Sequence, residues 1–298
     1  MRKALIALSA LLAFGAQAQQ RNFDAVQIKT TKVAEGIYML EGEGGNIGVS
    51  AGEDGVFLID DQFAPLTPKI IAAVTAISDK PIRFLLNTHW HGDHVGGNEN
   101  LGKAGVVIVA HDNVYKRMSV GGAIQMLKQN YTPAPKAALP VISFSTTATF
   151  HLNGDDVTSV HLPPSHTDGD SFVRFANANV IHTGDVFAAY RYPFMDVESG
   201  GSIKGIVRAI DRLMPMLDDN TKVIPGHGGL SSKKDVLAYR KMISTVVGRI
   251  EPMAKSGKTL QQVLAAKPTR EFDEEWGKFR KPDAFVEIVY NGLAPLKK

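Results

Sequence analysis

Three histidines and an aspartate fall within six residues, His89-Trp90-His91-Gly92-Asp93-His94. Imidazole nitrogen and carboxylate oxygen are good ligands for divalent metals, and several of them on one turn converge at little entropic cost. The chain has no cysteine, so any metal must be held by His, Asp, Glu or water. A solvated polar loop is the bland alternative for such a cluster. Further candidates stand alone: His166 within Ser165-His166-Thr167-Asp168, Asp185 after Gly184, and His227 within Pro225-Gly226-His227-Gly228. The remaining histidines, His111, His151, His161 and His182, lack such a context and read as structural or surface groups. Trp90 either lines a pocket or simply packs.

The elements around these residues give them a common placement. Val56 to Ile59 reads as a buried strand ending at Asp60-Asp61, and Ile82 to Leu86 as a strand running directly into the histidine cluster. Val180 to Thr183 precedes Asp185, and Val223-Ile224 precedes His227. The cluster, Asp185 and His227 therefore lie just past the carboxyl ends of apolar strands, where sites of layered α/β proteins gather. Glycines beside them (Gly92, Gly184, Gly226 and Gly228) allow the tight turns that aim ligands inward.

Between these landmarks, Thr67-Pro68 looks like a capping hydroxyl followed by a first-turn proline, with Ile70, Ile71, Val74 and Ile77 at helical spacing. Val106 to Ala110 is another strand. Val141 to His161 suggests several short strands with a turn at Asn153-Gly154, and Ser171 to Phe175 continues them. Residues 121–140, with Gly121-Gly122 and three prolines, read as an irregular excursion and a candidate lid. An amphipathic helix is expected from about Ile203 to Leu217. After His227 the periodicity is helical. Val236 to Ile250 form one stripe, Thr259 to Gln262 resembles a capping box, and Phe285, Ile288 and Val289 suggest a last helix.

Composition narrows the function classes. Hydrophobic residues make up 44% of the 298 and charged residues 21%, as in an ordinary globular core. The start has the three parts of an export signal: Arg2-Lys3, an apolar run from Ala4 to Phe14, and Ala16-Gln17-Ala18 as a cleavage site. The apolar run is too short for a membrane anchor. The expected organisation is a signal peptide over 1–18, a catalytic domain over 19–230 and a helical extension over 231–298 packed on it, exported to the periplasm or beyond. Removing Arg2 and Lys3 takes the 33 basic residues to 31 against 30 acidic ones. That balance disfavours a nucleic-acid partner and leaves a small-molecule substrate. The sequence leaves the oligomeric state open.

The order HxHxDH, lone His, Gly-Asp, Gly-His resembles the metallo-β-lactamase superfamily over about Ala25 to Gly229. The resemblance implies an α+β fold, a four-layer αββα sandwich, here with a C-terminal helical tail. It implies that His89, His91 and His166 bind one metal, that Asp93, His94 and His227 bind a second, and that Asp185 bridges them. Asp60 would be an aspartate supporting the site. Two zinc ions are expected, with iron or manganese as alternatives for a carboxylate bridge. Such a pair would share a water and supply hydroxide at neutral pH for attack on a carbonyl carbon, with Asp93 accepting or passing a proton.

The family's branches bear on the substrate. The aspartate bridge is similar to that of glyoxalase II and the lactonases. The β-lactamases with a cysteine bridge have a lysine three residues further on, where this chain has Ala188. Arg191 and Lys204 are candidate replacements, and Tyr190 and Tyr192 candidate pocket residues, although a surface place is the simpler reading for each. The reading that results is an exported metallohydrolase acting weakly or promiscuously on a β-lactam, or on a related lactone or ester. A glyoxalase II-like thioesterase and a non-catalytic metal-binding protein are the alternatives.

Overall fold

Strand β4 (Gly55–Ile59) is buried along its whole length, because its two faces meet different partners. Phe57 and Ile59 face a core shared with Val173, Phe175 and Ile224, whereas Val56 and Leu58 face Ile70, Val74 and Leu101. Successive side chains of a strand point to opposite faces, so an uninterrupted apolar run suits a strand covered on both sides. The computed structural model that shows this describes residues 21–293. The segment read as an export signal lies outside the described residues.

The first sheet has the order β1-β2-β3-β4-β5-β6-β9. Its strands are β1 (Lys29–Ala34), β2 (Ile37–Glu41), β3 (Ile47–Gly52), β4, β5 (Ile82–Asn87), β6 (Val107–His111) and β9 (Ile142–Phe144). The first four pair antiparallel, and β4, β5, β6 and β9 pair parallel. Helices α1 (Thr67–Thr75) and α3 (Asn98–Lys103) cover its outer face, and the short α2 (Gly92–Val95) carries part of the histidine cluster. Thr67 corrects one expectation. It is the first residue of α1 rather than its cap, and its hydroxyl accepts from Asn100 instead (3.1 Å).

Between β6 and β9 lie α4 (Asp112–Val120) and a small hairpin of β7 (Gly122–Ile124) with β8 (Gln129–Tyr131). The excursion at 121–140 therefore contains paired strands. The second sheet has the order β10-β11-β12-β13-β14-β15. It comprises β10 (Thr147–Leu152), β11 (Asp155–His161), β12 (Ser171–Phe175), β13 (Val180–His182), β14 (Lys222–Ile224) and β15 (Ser231–Ser232). Strands β13 and β14 run parallel, which requires a crossover. Helix α5 (Ile203–Leu213) supplies it, starting at Ser202, whose hydroxyl accepts from the Gly205 N–H. It stops four residues short of the expected Leu217, and a 3-10 turn follows over Met214–Met216.

The outer face of the second sheet is closed by α5, α6 (Lys233–Lys255), α7 (Leu260–Ala265) and α9 (Pro282–Leu293), around Phe187, Tyr239 and Phe285. The expected capping box at α7 is present: Gln262 accepts from the Thr259 N–H and returns its own N–H to the Thr259 hydroxyl. A four-residue segment α8 (Asp273–Trp276) precedes α9. The layers run helix, sheet, sheet, helix, the αββα order that the motif resemblance implies. No helix among the described residues is long and apolar enough to cross a membrane.

Candidate metal centre

The two sheets meet at one edge, and the candidate residues come from both. Asp60 follows β4, and residues 89–94 follow β5. His166 lies between β11 and β12, Asp185 follows β13, and His227 follows β14. All seven candidate ligands are brought together. Ligand atoms of three trios (His89, His91, His166; His89, His94, Asp185; Asp93, His94, His227) lie within 4.8 Å of one another inside each trio.

Hydrogen bonds behind the rings decide which nitrogens face inward. The Thr88 hydroxyl donates to Asp60 Oδ2 (2.8 Å), so it accepts from His89 Nδ1 (3.1 Å). His89 Nε2 is then left bare, buried and without a partner. His91 Nε2 donates to Asp196 Oδ2 (3.0 Å), and His166 Nδ1 donates to the Phe194 carbonyl (2.9 Å). The remaining nitrogens, His91 Nδ1 and His166 Nε2, face each other at 2.9 Å as two acceptors. A shared cation between them relieves that opposition. Burial, and then the charge of neighbouring imidazoles, His94 foremost for His89 and His91 for His166, pushes His89 well down and His166 down.

The other half of the site is richer in carboxylate. Asp60 sits at φ 64, a backbone conformation uncommon outside glycine. Its carboxylate accepts from the Thr88 N–H (2.8 Å), the Thr88 hydroxyl and His94 Nδ1 (2.7 Å). His94 Nε2 is thereby aimed at Asp185 Oδ1 (3.1 Å). Asp185 Oδ2 lies 3.5 Å from His166 Nε2 and 3.3 Å from His227 Nε2, and the latter is 3.4 Å from Asp93 Oδ2. Asp185 is thus the group that touches both halves. Burial opposes its ionisation, but His227 and His94 outweigh that and hold it well below the usual carboxylate range. Asp93 is lowered too, burial again being outweighed by His94 and His227. In return, His227 is raised against burial to about 9 by Asp185 and Asp93, and His94 is raised by Asp185, Asp60 and Asp93.

These features test whether the residues fit a metal pair. His89 Nε2, His94 Nε2 and Asp185 Oδ1 are buried atoms with no hydrogen-bond partner. Native proteins seldom leave such groups unsatisfied. All three point into the same space, and their donor chemistry is the nitrogen and oxygen set that zinc takes. The residues fit. Glycine is required where backbone passes the ligands: a Cβ on Gly45 would overlap the His94 ring, and one on Gly226 would overlap Asp185 Oδ1.

Several supporting residues escaped the sequence reading. Asp196 fixes His91. Asp170 accepts from Ser165 Oγ, His166 N, Thr167 N and Thr167 Oγ1, at 2.6 to 2.9 Å, and so shapes the His166 turn. Asn46 donates to the carbonyls of Pro225 and Gly228 and clamps the His227 turn onto the first sheet. Only the spacing of Asp170 from His166 offered a signal. Lys204 is removed from the pocket candidates, since it pairs with Glu251 on the helical side (2.7 Å). Tyr190 is half-exposed and donates to Asp235. Trp90 packs, donating to Ser199 Oγ (3.0 Å). His182 is a buried structural group bonded to the Asn46 carbonyl (3.1 Å), and His111 stacks on His161 away from the site.

A cavity of about 190 Å³ opens onto His91, Asp93, His166, Asp185 and His227. Its walls include Phe63, Tyr131, Ala188, Arg191, Tyr192 and Arg280. The hairpin of β7 and β8 thus contributes one wall, and the segment before α9 another.

The family model for the metallo-beta-lactamase superfamily matches residues 40–227. The chain is 25% identical over 262 residues to an atrochrysone carboxyl ACP thioesterase of Aspergillus fumigatus, covering 83% of this chain and 55% of that protein. It therefore spans about half the length of that relative. It is 21% identical over 241 residues to a type 2 metallo-beta-lactamase of Bacteroides fragilis, covering 76% of this chain and 90% of that one. Among solved structures, a metallo-beta-lactamase from Pontibacter korlensis superposes with a TM-score of 0.60 at 18% identity, over 73% of this chain and 99% of the other. That likeness shows the fold. The matched span runs from β2 to the His227 turn and contains every candidate ligand, and with the four layers in place the chain belongs to the metallo-β-lactamase superfamily.

Proposed function

We propose that the protein is a dinuclear zinc hydrolase acting on a carbonyl compound, a β-lactam or a related lactone or ester, and that it is exported. The opposed acceptor nitrogens of His91 and His166, 2.9 Å apart, are the observation that carries the metal reading. His89, His91 and His166 would hold one ion, Asp93, His94 and His227 the other, and Asp185 would serve both. When bound, such a pair lowers the pKa of a coordinated water to near neutrality and polarises a carbonyl oxygen. The chain's own residues do the positioning. Asp60, Asp196 and the Phe194 carbonyl fix three imidazoles before substrate arrives, so little reorganisation is needed during reaction. Asp93 faces the cavity and stays ionised, which suits it to pass a proton on rather than to store one. No serine or cysteine nucleophile is required.

Export rests on residues 1–18 and is tested by sequencing the N-terminus of the mature protein from a periplasmic fraction. Expected is a start at Gln19; recovery of an intact Met1 start from the cytoplasm would overturn it.

A second reading, a thioesterase, is favoured by the aspartate at 185, by the absence of a positive charge at Ala188, and by the similarity to a thioesterase. Metal analysis of the purified protein, followed by turnover of a cephalosporin, a lactone and a glutathione thioester on the same sample, separates the readings. Two equivalents of zinc with lactam or lactone turnover is the expected result. Thioester turnover far above the others would favour the second reading. Two bound metals with no turnover of any of the three would favour a metal-binding role.

A further inference from the structure

The turn that carries the candidate ligands adjoins two cavities. His91 and Asp93 line the first, whereas Trp90, Gly92 and Val95 line a second, of about 220 Å³. Met118 of α4, Ala134 and Tyr131 are among its other walls, and Tyr131 is shared with the first cavity. Trp90 thus borders the second cavity while its sequence neighbours His89 and His91 belong to the candidate metal centre. Its ring meets that of Tyr131 at a corner, with centroids 5.1 Å apart and planes at 64°. A third ring packs favourably against such a corner, edge to one face and offset on the other. An apolar cavity of about 150 Å³ already takes benzene.

The polar groups of this second cavity are already engaged elsewhere. The Trp90 indole N–H donates to Ser199 Oγ (3.0 Å), and the Tyr131 hydroxyl to Gln129 (2.6 Å). Of the two charged residues that line it, Arg117 is bound to Asp168 through two bonds (2.7 and 2.6 Å), and Glu99 pairs with Lys103 (2.6 Å). Thr132, the remaining polar side chain there, is exposed to solvent. The walls therefore offer ring faces and aliphatic carbon but no free charge. A charged guest would lose its hydration there without gaining a partner.

We propose that this cavity is a binding site for a neutral molecule with a single aromatic ring, and that its occupancy is coupled to metal at His91. A chain of hydrogen bonds joins the two places. Trp90 Nε1 donates to Ser199 Oγ, the Ser199 N–H donates to Asp196 Oδ1 (3.1 Å), and His91 Nε2 donates to Asp196 Oδ2 (3.0 Å). Metal on His91 would hold that chain in place and the indole with it. A ring that binds against Trp90 would then find its wall already ordered, which is positive coupling. The binding rests on the cavity alone, and the coupling rests also on the metal reading above.

The chain has two tryptophans, so protein labelled with fluorotryptophan gives two fluorine NMR signals, and W90F identifies the one from Trp90. Trp276, buried in the helical tail, reports on the fold. In metal-free protein, anisole should shift the Trp90 signal with a Kd on the order of 1 mM and leave the Trp276 signal in place. Benzoate and benzylammonium, its charged counterparts, should not shift it. A134F fills the cavity from a partly exposed position and should abolish the shift, with A134L in its place if the larger ring disturbs the Trp276 signal. In zinc-loaded protein anisole should bind about fivefold tighter, and S199A should remove that gain. No shift at Trp90, an equal shift by the charged rings, or a shift that survives the filled cavity would each overturn the site. An unchanged Kd on loading, or a gain that survives S199A, would overturn the coupling and leave the site. Failure to take up zinc would overturn the metal reading and the coupling together, and the metal-free arm would still decide the site.

Discussion

Asp60 Oδ2 accepts the Nδ1 proton of His94 at 2.7 Å, with neither side chain exposed to solvent. The bond fixes the tautomer of His94 and presents Nε2 to Asp185. Asp60→Asn supplies an amide where a carboxylate took three donors, so His94 loses its orientation. We expect metal affinity to fall about 10- to 100-fold with the fold retained, measured by competition with a chromophoric chelator. An unchanged affinity would dissociate Asp60 from the site.

The same logic separates the two halves. The Asp196 side chain bonds His91, and its backbone N–H donates to the His166 carbonyl (2.9 Å), so both contacts fall on ligands of the same trio. Asp196→Ala should weaken one metal selectively, so that stoichiometry under mild chelation drops from two equivalents to one. Elemental analysis after dialysis reads this directly, and loss of both metals together would argue against independent halves.

Protons compete with metal in the carboxylate-rich half. His227 keeps its proton to about pH 9 in the absence of metal because Asp185 and Asp93 face it. Metal binding must displace that proton, so affinity should climb with pH up to about 9, about tenfold per unit for each proton displaced, and then level off. Stability of the metal-free protein has the opposite trend. A raised histidine contributes fully below its unfolded pKa of about 6.5 and loses that contribution as pH rises through about 9. The lowered Asp93 and Asp185 contribute above about pH 4 and lose it at lower pH. Chelated protein should therefore melt at a higher temperature at pH 7, where the lowered His89 and His166 are largely neutral in both states, than at pH 9.5. Calorimetry across that range checks the sign.

Asp170 gathers four donors from the turn that carries His166. Asp170→Ala strands several of them in a buried place and should cost about 3 kcal/mol, by denaturant unfolding. A cost below about 1 kcal/mol would mean that the turn holds its shape without Asp170.

One glycine gives a steric test. Gly45→Ala places a methyl group against the His94 ring without removing any ligand. Metal binding should drop, and the melting temperature of the metal-free protein should fall with it, because the buried His94 ring has to move. A variant with full metal content would show that the ring moves freely.

The histidine cluster was legible because its six residues are contiguous, and the strand ends were legible because β4, β5, β13 and β14 are short apolar runs. Their order alone suggested one edge, but the resemblance was needed to divide them into two sheets. Asp196 and Asn46 were not legible. Their partners, His91 and the Pro225–Gly228 turn, lie 105 and about 180 residues away, and nothing local marks an aspartate or asparagine for such a contact. Thr67 misled because the sequence has a cap's composition there, whereas Asn100 from another helix claims the hydroxyl. Arg191 was legible as a charge near the site, whereas Arg280, on the same cavity, was hidden in a tail whose helices read only as packing.

Every ligand candidate on the first sheet is N-terminal to every one on the second, and Asn46 is the hinge pin between them. A loaded site would bind the two halves of the sandwich to each other at their shared edge. In a chain without cysteine, metal would then do the work of a crosslink, and a chelator the work of a reductant. Loading would become a checkpoint of assembly, in which the second half of the chain is secured only after it has docked on the first.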